Sequence, residues 1–153
     1  MNALTNLFTP DCIALDIPAK SRADAFAAAG ELFAKQTGIE ASSVVEFLNA
    51  RENLGSTALG AGVAIPHGRV KGLKQPSAAF MRLQAPIDFA APDNDPVSIL
   101  IFLVVPEKAT QQHLEILSSI AQLLSDADAR QTMSSAVDPV KVCELLQRWG
   151  TAK

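Results

Sequence analysis

The segment that most narrows the fold is Val97–Val105, Val-Ser-Ile-Leu-Ile-Phe-Leu-Val-Val. It is nearly continuous in apolar, largely β-branched residues and is halted by Pro106. A strand that is apolar at successive positions has no polar face to turn to water, so it belongs inside a sheet covered on both sides. Its longest unbroken apolar stretch, Ile99–Val105, is seven residues, well short of the about 20 that a membrane-spanning helix needs.

The covering layers should come from helices whose ends are written into the chain. Ser21 with Asp24 three residues on resembles a capping box; Phe26, Ala29, Gly30 and Phe33 follow at helical spacing, and Gly38 ends the run. A second helix is expected from Ser42 or Ser43, with Glu46 completing a Ser-x-x-Glu box, through Val44, Phe47 and Leu48 to Arg51. Beyond the buried strand, Thr110 caps a long helix through Leu124, with Leu114, Leu117, Ile120, Ala121 and Leu124 as its core face. Asp126 caps a short helix to Met133. Asp138-Pro139 starts a last one that buries Val142, Leu145, Leu146 and Trp149 and closes at Gly150. Further strands are expected at Gly62–Ile65 and Ser77–Leu83, with a small extended piece at Ile87–Phe89. This alternation predicts an α/β sandwich with a mixed sheet, built as one domain over residues 1–153.

Length and composition agree with that and exclude much else. The 153 residues sit near the mode for a single domain, and 48% of them are hydrophobic, which excludes general disorder. Thirteen Lys+Arg against sixteen Asp+Glu leave a net charge of −3 and no footprint for nucleic acid. The densest basic stretch, Arg69, Lys71 and Lys74, is too thin to make one, and with no tyrosine and one tryptophan there is little for bases to stack on. The first 20 residues lack the pattern of an export signal. Cys12 and Cys143 have no metal or redox spacing and read as free buried thiols of a reducing cytosol.

The chemistry concentrates in one stretch. Of eight glycines, five fall between Gly55 and Gly72. His67 lies among them, between Pro66, which holds Ile65 extended, and Gly68, which lets the chain turn after the imidazole. That setting presents an imidazole at a strand end with amides nearby, a reasonable place for an anion or a transferring phosphoryl group. The phosphate loops of nucleotide-binding proteins do not fit: Ala61 and Gly62 stand where a P-loop has Lys-Ser/Thr, and Ile65 where a dinucleotide fingerprint has its third glycine. The second histidine, His113, lies in the first turn of the helix after the buried strand, near the strand's carboxyl edge. One histidine can act as nucleophile while the other donates to phosphoryl oxygens, and Arg51 can offset developing charge. Each residue also has a plain structural reading: a turn hydrogen bond for His67, a helix-end or surface position for His113, and a solvated dipole partner for Arg51. A metal site from the two histidines and a carboxylate has no ligand spacing behind it.

The stretch Arg51-Glu52-x-x-Gly55-Ser56-Thr57-x-x-Gly60-x-Gly62-Val63-Ala64-Ile65-Pro66-His67-Gly68 resembles the phosphorylation-site signature of the fructose/mannitol-type enzyme IIA domains of the bacterial phosphotransferase system, nearest to their nitrogen-regulatory branch. A second matching segment is His113-Leu-Glu-Ile-Leu117, and the element order is similar over residues 5 to 149. The resemblance implies a mixed, mainly parallel sheet with helices on both faces. It implies His67 as phosphoacceptor, His113 as the histidine that stabilises the phosphoryl group, and Arg51 as the site arginine, with Ser56, Thr57 and Gly68 at the phosphate pocket. It further implies a donor that is a histidine phosphocarrier protein (NPr or HPr), itself charged from phosphoenolpyruvate by an enzyme I, with no nucleotide or metal cofactor. The setting would be cytoplasmic, and regulated targets such as potassium transporters or sensor kinases would read the phosphorylation state. The competing expectation is a sugar-transport role, passing phosphate from His67 to a IIB cysteine for fructose or mannitol uptake.

Overall fold

The computed structural model describes residues 7–108 and 111–149, the side chain of residue 112 excepted. A 3-10 turn, Pro10–Cys12, leads into β1 (Ile13–Ile17). Helices α1 (Arg22–Thr37) and α2 (Ala41–Glu52) follow, then β2 (Ala58–Gly60), β3 (Val63–Ala64), β4 (His67–Val70), β5 (Ser77–Ile87) and β6 (Val97–Pro106). Three helices close the chain: α3 (Gln111–Ser125), α4 (Ala127–Ser135) and α5 (Pro139–Arg148).

The strand order is β1-β5-β6-β3-β2, and β4 also pairs with β6. The β1–β5, β3–β6 and β4–β6 pairs are parallel; β5–β6 and β2–β3 are antiparallel. The sheet is thus mixed, with parallel pairs in the majority. β6 is its spine, and residues 99–105 are all buried, as an unbroken apolar strand requires. β3 and β4 lie end to end along one edge of β6, β3 against Ile99 and Leu100 and β4 against Leu103 to Pro106.

Helices cover both faces. Phe102 points to α1, where Phe26 meets its ring edge-on at 5.7 Å. Successive strand residues point to opposite faces, so Leu103 and Val105 point the other way, into a groove that they share with His113 and Leu117 of α3. On that second face Arg82 of β5 donates to the Met133 and Ala136 carbonyls at the end of α4, the former at 3.0 Å, and pairs with Asp16 of β1.

The capped helices match the expectation from sequence. Ser21 accepts from the Asp24 amide at 3.1 Å, and Gly38 closes α1 at φ 79°. Asp126 and Asp138 cap α4 and α5 through the Ala129 and Val140 amides. Other readings need correction. α2 begins after Glu40, with no side-chain cap, so Ser42 and Ser43 lie inside its first turn. β1, β2 and β4 were not foreseen, and β3 is shorter than Gly62–Ile65. Ile87 ends β5 rather than starting a separate piece. Pro86 is tolerated there because the β5–β6 register shifts between Arg82 and Ile87, where no regular ladder bond is lost. Leu114 is 60% exposed, and the buried face of α3 is Ile116, Ile120, Leu123 and Leu124. In α5 Cys143 is buried with Val142 and Leu146, whereas Leu145 and Trp149 are only partly covered. The expected cap at Thr110 and stop at Gly150 lie outside the described residues. Both cysteines are free and buried.

Candidate functional site

His67 is the first residue of β4. The strand is held against β6 in parallel register, His67 opposite Leu103, and the Leu103 amide donates to the Pro66 carbonyl at 3.0 Å. The side chains of His67 and Arg69 therefore share the face of Leu103 and Val105, and Gly68 faces the other way, toward α2. A Cβ on Gly68 would lie 2.9 Å from the Phe47 carbonyl oxygen. Glycine is what lets α2 rest directly on β4, and that contact carries Arg51, one turn beyond Phe47, to the edge where His67 stands.

The imidazole is partly buried. Its Nδ1 donates to the Ile65 carbonyl at 2.8 Å; a carbonyl only accepts, so the proton sits on Nδ1 and the lone pair of Nε2 is left for other chemistry. Burial, the largest influence, pushes the His67 pKa below its ordinary 6.5. The bond to Ile65 opposes that shift, Arg51 adds to it, and Glu52 opposes it. The ring is thus neutral at physiological pH, the state in which it is a nucleophile.

His67, Gly68, Arg51 and His113 line one groove of about 460 Å³ between α2, β4, β6 and α3. His113 is buried, at the first turn of α3. Arg51 lies in the last turn of α2 and donates through Nη1 to the Gly55 carbonyl at 2.9 Å. Apart from Arg69 the rest of the groove's lining is apolar, and its rim carries two of the most exposed large hydrophobic residues described, Leu54 at 84% and Leu114 at 60%. No carboxylate lines it among the described residues. A second groove, of about 420 Å³, lies between the end of α1 and the β4–β5 turn and holds none of these residues.

Ser56 and Thr57, expected at a phosphate pocket, are not among the residues lining this groove. The Ser56 hydroxyl donates to the Phe89 carbonyl at 2.7 Å and accepts from the Ala58 amide. Thr57 is buried, and both its amide and its hydroxyl donate to Glu52, each at 2.8 Å. Neither lines the groove, because both hydroxyls are spent on folding the 53–57 loop back onto the protein. Glu52, 3% exposed, was not singled out from sequence. The signal available was its place beside Arg51 in the motif. Arg69 lines the groove as well; in the sequence it counted only as part of a thin basic stretch. Among the described residues no three His, Cys, Asp or Glu side chains converge on a metal position, and no helix is long and apolar enough to cross a membrane.

Residues 6–149 match the family model described as the phosphoenolpyruvate-dependent sugar phosphotransferase system, EIIA 2. The chain belongs to this family. Among the EIIA 2 relatives, the nitrogen regulatory protein of Pseudomonas aeruginosa is 41% identical over 137 residues, covering 89% of each chain. The nitrogen regulatory protein of Bradyrhizobium diazoefficiens is 36% identical over 143 residues, 94% of each. Among solved structures, the nitrogen regulatory protein IIA-Ntr of Neisseria meningitidis superposes with a TM-score of 0.89 at 41% identity, covering 93% of this chain and 97% of that one. The EIIA 2 fold and the likeness to its nitrogen-regulatory members thus agree with the reading of the Arg51–Gly68 motif.

Proposed function

We propose that this EIIA 2 protein is a regulatory phosphocarrier that accepts a phosphoryl group on Nε2 of His67. The observation that carries the reading is the state of that ring: neutral through burial, its Nδ1 proton held by Ile65, and set in a groove with Arg51 and His113. The donor is the phosphohistidine of a small carrier protein, NPr or HPr. The Nε2 lone pair attacks phosphorus in line, the bond from phosphorus to the donor's ring nitrogen breaks, and the donor's imidazole departs. Such a transition state is loose, so the protein contributes mainly alignment and charge. Arg51 supplies that charge, His113 donates to the phosphoryl oxygens, and Gly68 supplies the close approach of α2 to β4. The apolar rim at Leu54 and Leu114 gives the donor a surface that excludes water around the transferring group.

The phosphoryl group brings about −1.5 to −2 charge while the ring, keeping its Nδ1 proton, becomes a cation, so a chain at −3 moves to about −4, with the new dianion confined to one surface. Cytoplasmic targets, such as potassium transporters or sensor kinases, distinguish the two states by that charge. The likeness to nitrogen regulatory proteins at 41% and 36% identity supports regulation. The family's own description names a sugar system, and transfer onward to a IIB cysteine is the competing reading.

The test is incubation of the chain with phosphoenolpyruvate, enzyme I and the carrier. Acid-labile labelling of the wild type and none of a folded His67→Gln variant is expected; undiminished labelling of the variant refutes the assignment. Efficient discharge of the labelled protein onto a sugar-specific IIB domain refutes the regulatory reading in favour of transport.

A further inference from the structure

We propose that Arg69 is a second cation of the site, without a partner while His67 is bare and ion-paired to the phosphoryl group once His67 carries one. The proposal rests on the phosphoacceptor reading above. His67 and Arg69 are two residues apart on β4, hence on one face and separated by about 7 Å along the strand. Both line the same groove, opposite Leu103 and Val105.

What sets Arg69 apart is the fate of the other arginines. Arg51 donates to Gly55, Arg82 to Asp16 and the α4 carbonyls, and Arg130 to the Leu124 carbonyl. Arg22 lies over the Phe89 ring at 5.9 Å, and Arg148 also has a partner. Among the described arginines, the side chain of Arg69 alone makes no hydrogen bond, ion pair or ring contact. Arg69 is exposed and lines a groove that offers its five N–H donors no carboxylate among the described residues. A dianionic phosphoryl group on Nε2 of His67 would bring three strong acceptors within reach of a side chain of that length, and a planar guanidinium grips such a group through two parallel bonds. Arg51 cannot fill the same role with its whole fork, since its Nη1 is engaged with Gly55.

The test uses the full chain and potassium phosphoramidate, a small donor that needs no docking surface. Its P–N bond breaks, the bond from Nε2 to phosphorus forms, and ammonia leaves. Phosphohistidine on His67 is verified against His67→Gln. In isotope-labelled protein the Arg69 Nε–H resonance, identified by its loss in Arg69→Lys, is expected to shift and to exchange more slowly on phosphorylation. Phosphorus NMR titration is expected to show the second pKa of the phosphoryl group about 0.5 unit or more higher in Arg69→Gln than in wild type, with Arg69→Lys between them. A loaded His67 with an unmoved Arg69 resonance and identical phosphoryl titrations overturns the proposal and leaves the acceptor reading standing. A folded wild type that takes no phosphoryl group on His67 overturns both.

Discussion

Replacing Glu52 by alanine removes both acceptors that Thr57 uses. Glu52 is 3% exposed and Thr57 6%, so no water stands ready to replace them. Two hydrogen bonds of 2.8 Å to a carboxylate are lost, each of a kind that contributes about 1.5–3 kcal/mol, and the Thr57 amide is left buried without an acceptor. Removing the buried carboxylate returns part of this as relieved desolvation, for a net loss of about 2–3 kcal/mol. For a domain of this size that lowers Tm by about 4–12 °C. Glutamine is the informative contrast. Its carbonyl accepts from the Thr57 amide and its NH2 donates to the Thr57 hydroxyl, so the loop stays folded and the cost stays near 1 kcal/mol. Both variants remove a negative charge that holds the His67 pKa up against burial and Arg51, so an NMR titration of Glu52→Gln should find His67 lower still. Urea unfolding with matched m-values measures the first effect. A Glu52→Ala variant within about 0.5 kcal/mol of wild type, or a Glu52→Gln variant as damaged as Glu52→Ala, refutes the reasoning.

Because burial holds the His67 pKa below 6.5, the unfolded chain takes up its proton first as pH falls. Wild type should therefore lose stability below about pH 6.5 relative to His67→Gln, as seen in Tm measured from about pH 7.5 to 5.5, whereas parallel curves contradict a depressed pKa. Arg82→Met should cost about 2–3 kcal/mol, because carbonyls at the end of α4 lose their donor. Asp16→Asn should cost under about 1 kcal/mol, because Asp16 is 64% exposed; equal losses in urea unfolding would mean that the ion pair dominates. Leu54→Ser and Leu114→Ser, at positions 84% and 60% exposed, should leave stability within about 0.5 kcal/mol yet raise the KM for a phosphorylated carrier several-fold; an unchanged KM would remove the rim from the docking surface.

Much of the fold was legible because its signals are local. Ser21, Asp126 and Asp138 each accept from an amide two or three residues away, and β6 announces itself by composition. What was missed depends on partners distant in the chain. β1 is a short strand whose register breaks between Ala14 and Ile17, with Asp16 at φ 56°, and nothing in Ile-Ala-Leu-Asp-Ile marks where it will pair. β4, His-Gly-Arg-Val, has no strand composition and exists because β6 offers it an edge. Leu114 keeps helical spacing with the core residues but borders the groove instead, since periodicity does not say where the packed layer beneath a helix ends. At the site, His67, His113 and Arg51 were readable as a motif. Glu52 was not, because its burial is decided by the path of the loop that brings Thr57 back to it, and Ser56 and Thr57 were drawn away from the groove by that same loop.

The bond from His67 to the Ile65 carbonyl also governs the traffic of protons. In the proposed transfer, a ring that attacks through Nε2 while keeping its proton on Nδ1 becomes a phosphorylated imidazolium, and the carbonyl, able only to accept, keeps that proton where it is. When the phosphoryl group moves on, the ring returns to the same neutral tautomer. Neither direction calls for a base to take a proton or an acid to return one, so loading and unloading retrace a single path, and the ring remains the good leaving group that a protonated imidazole is. The acceptor is a main-chain atom, oriented by the extended conformation that Pro66 imposes on Ile65. The reversibility of the proposed transfer thus rests on the backbone rather than on any side chain open to substitution.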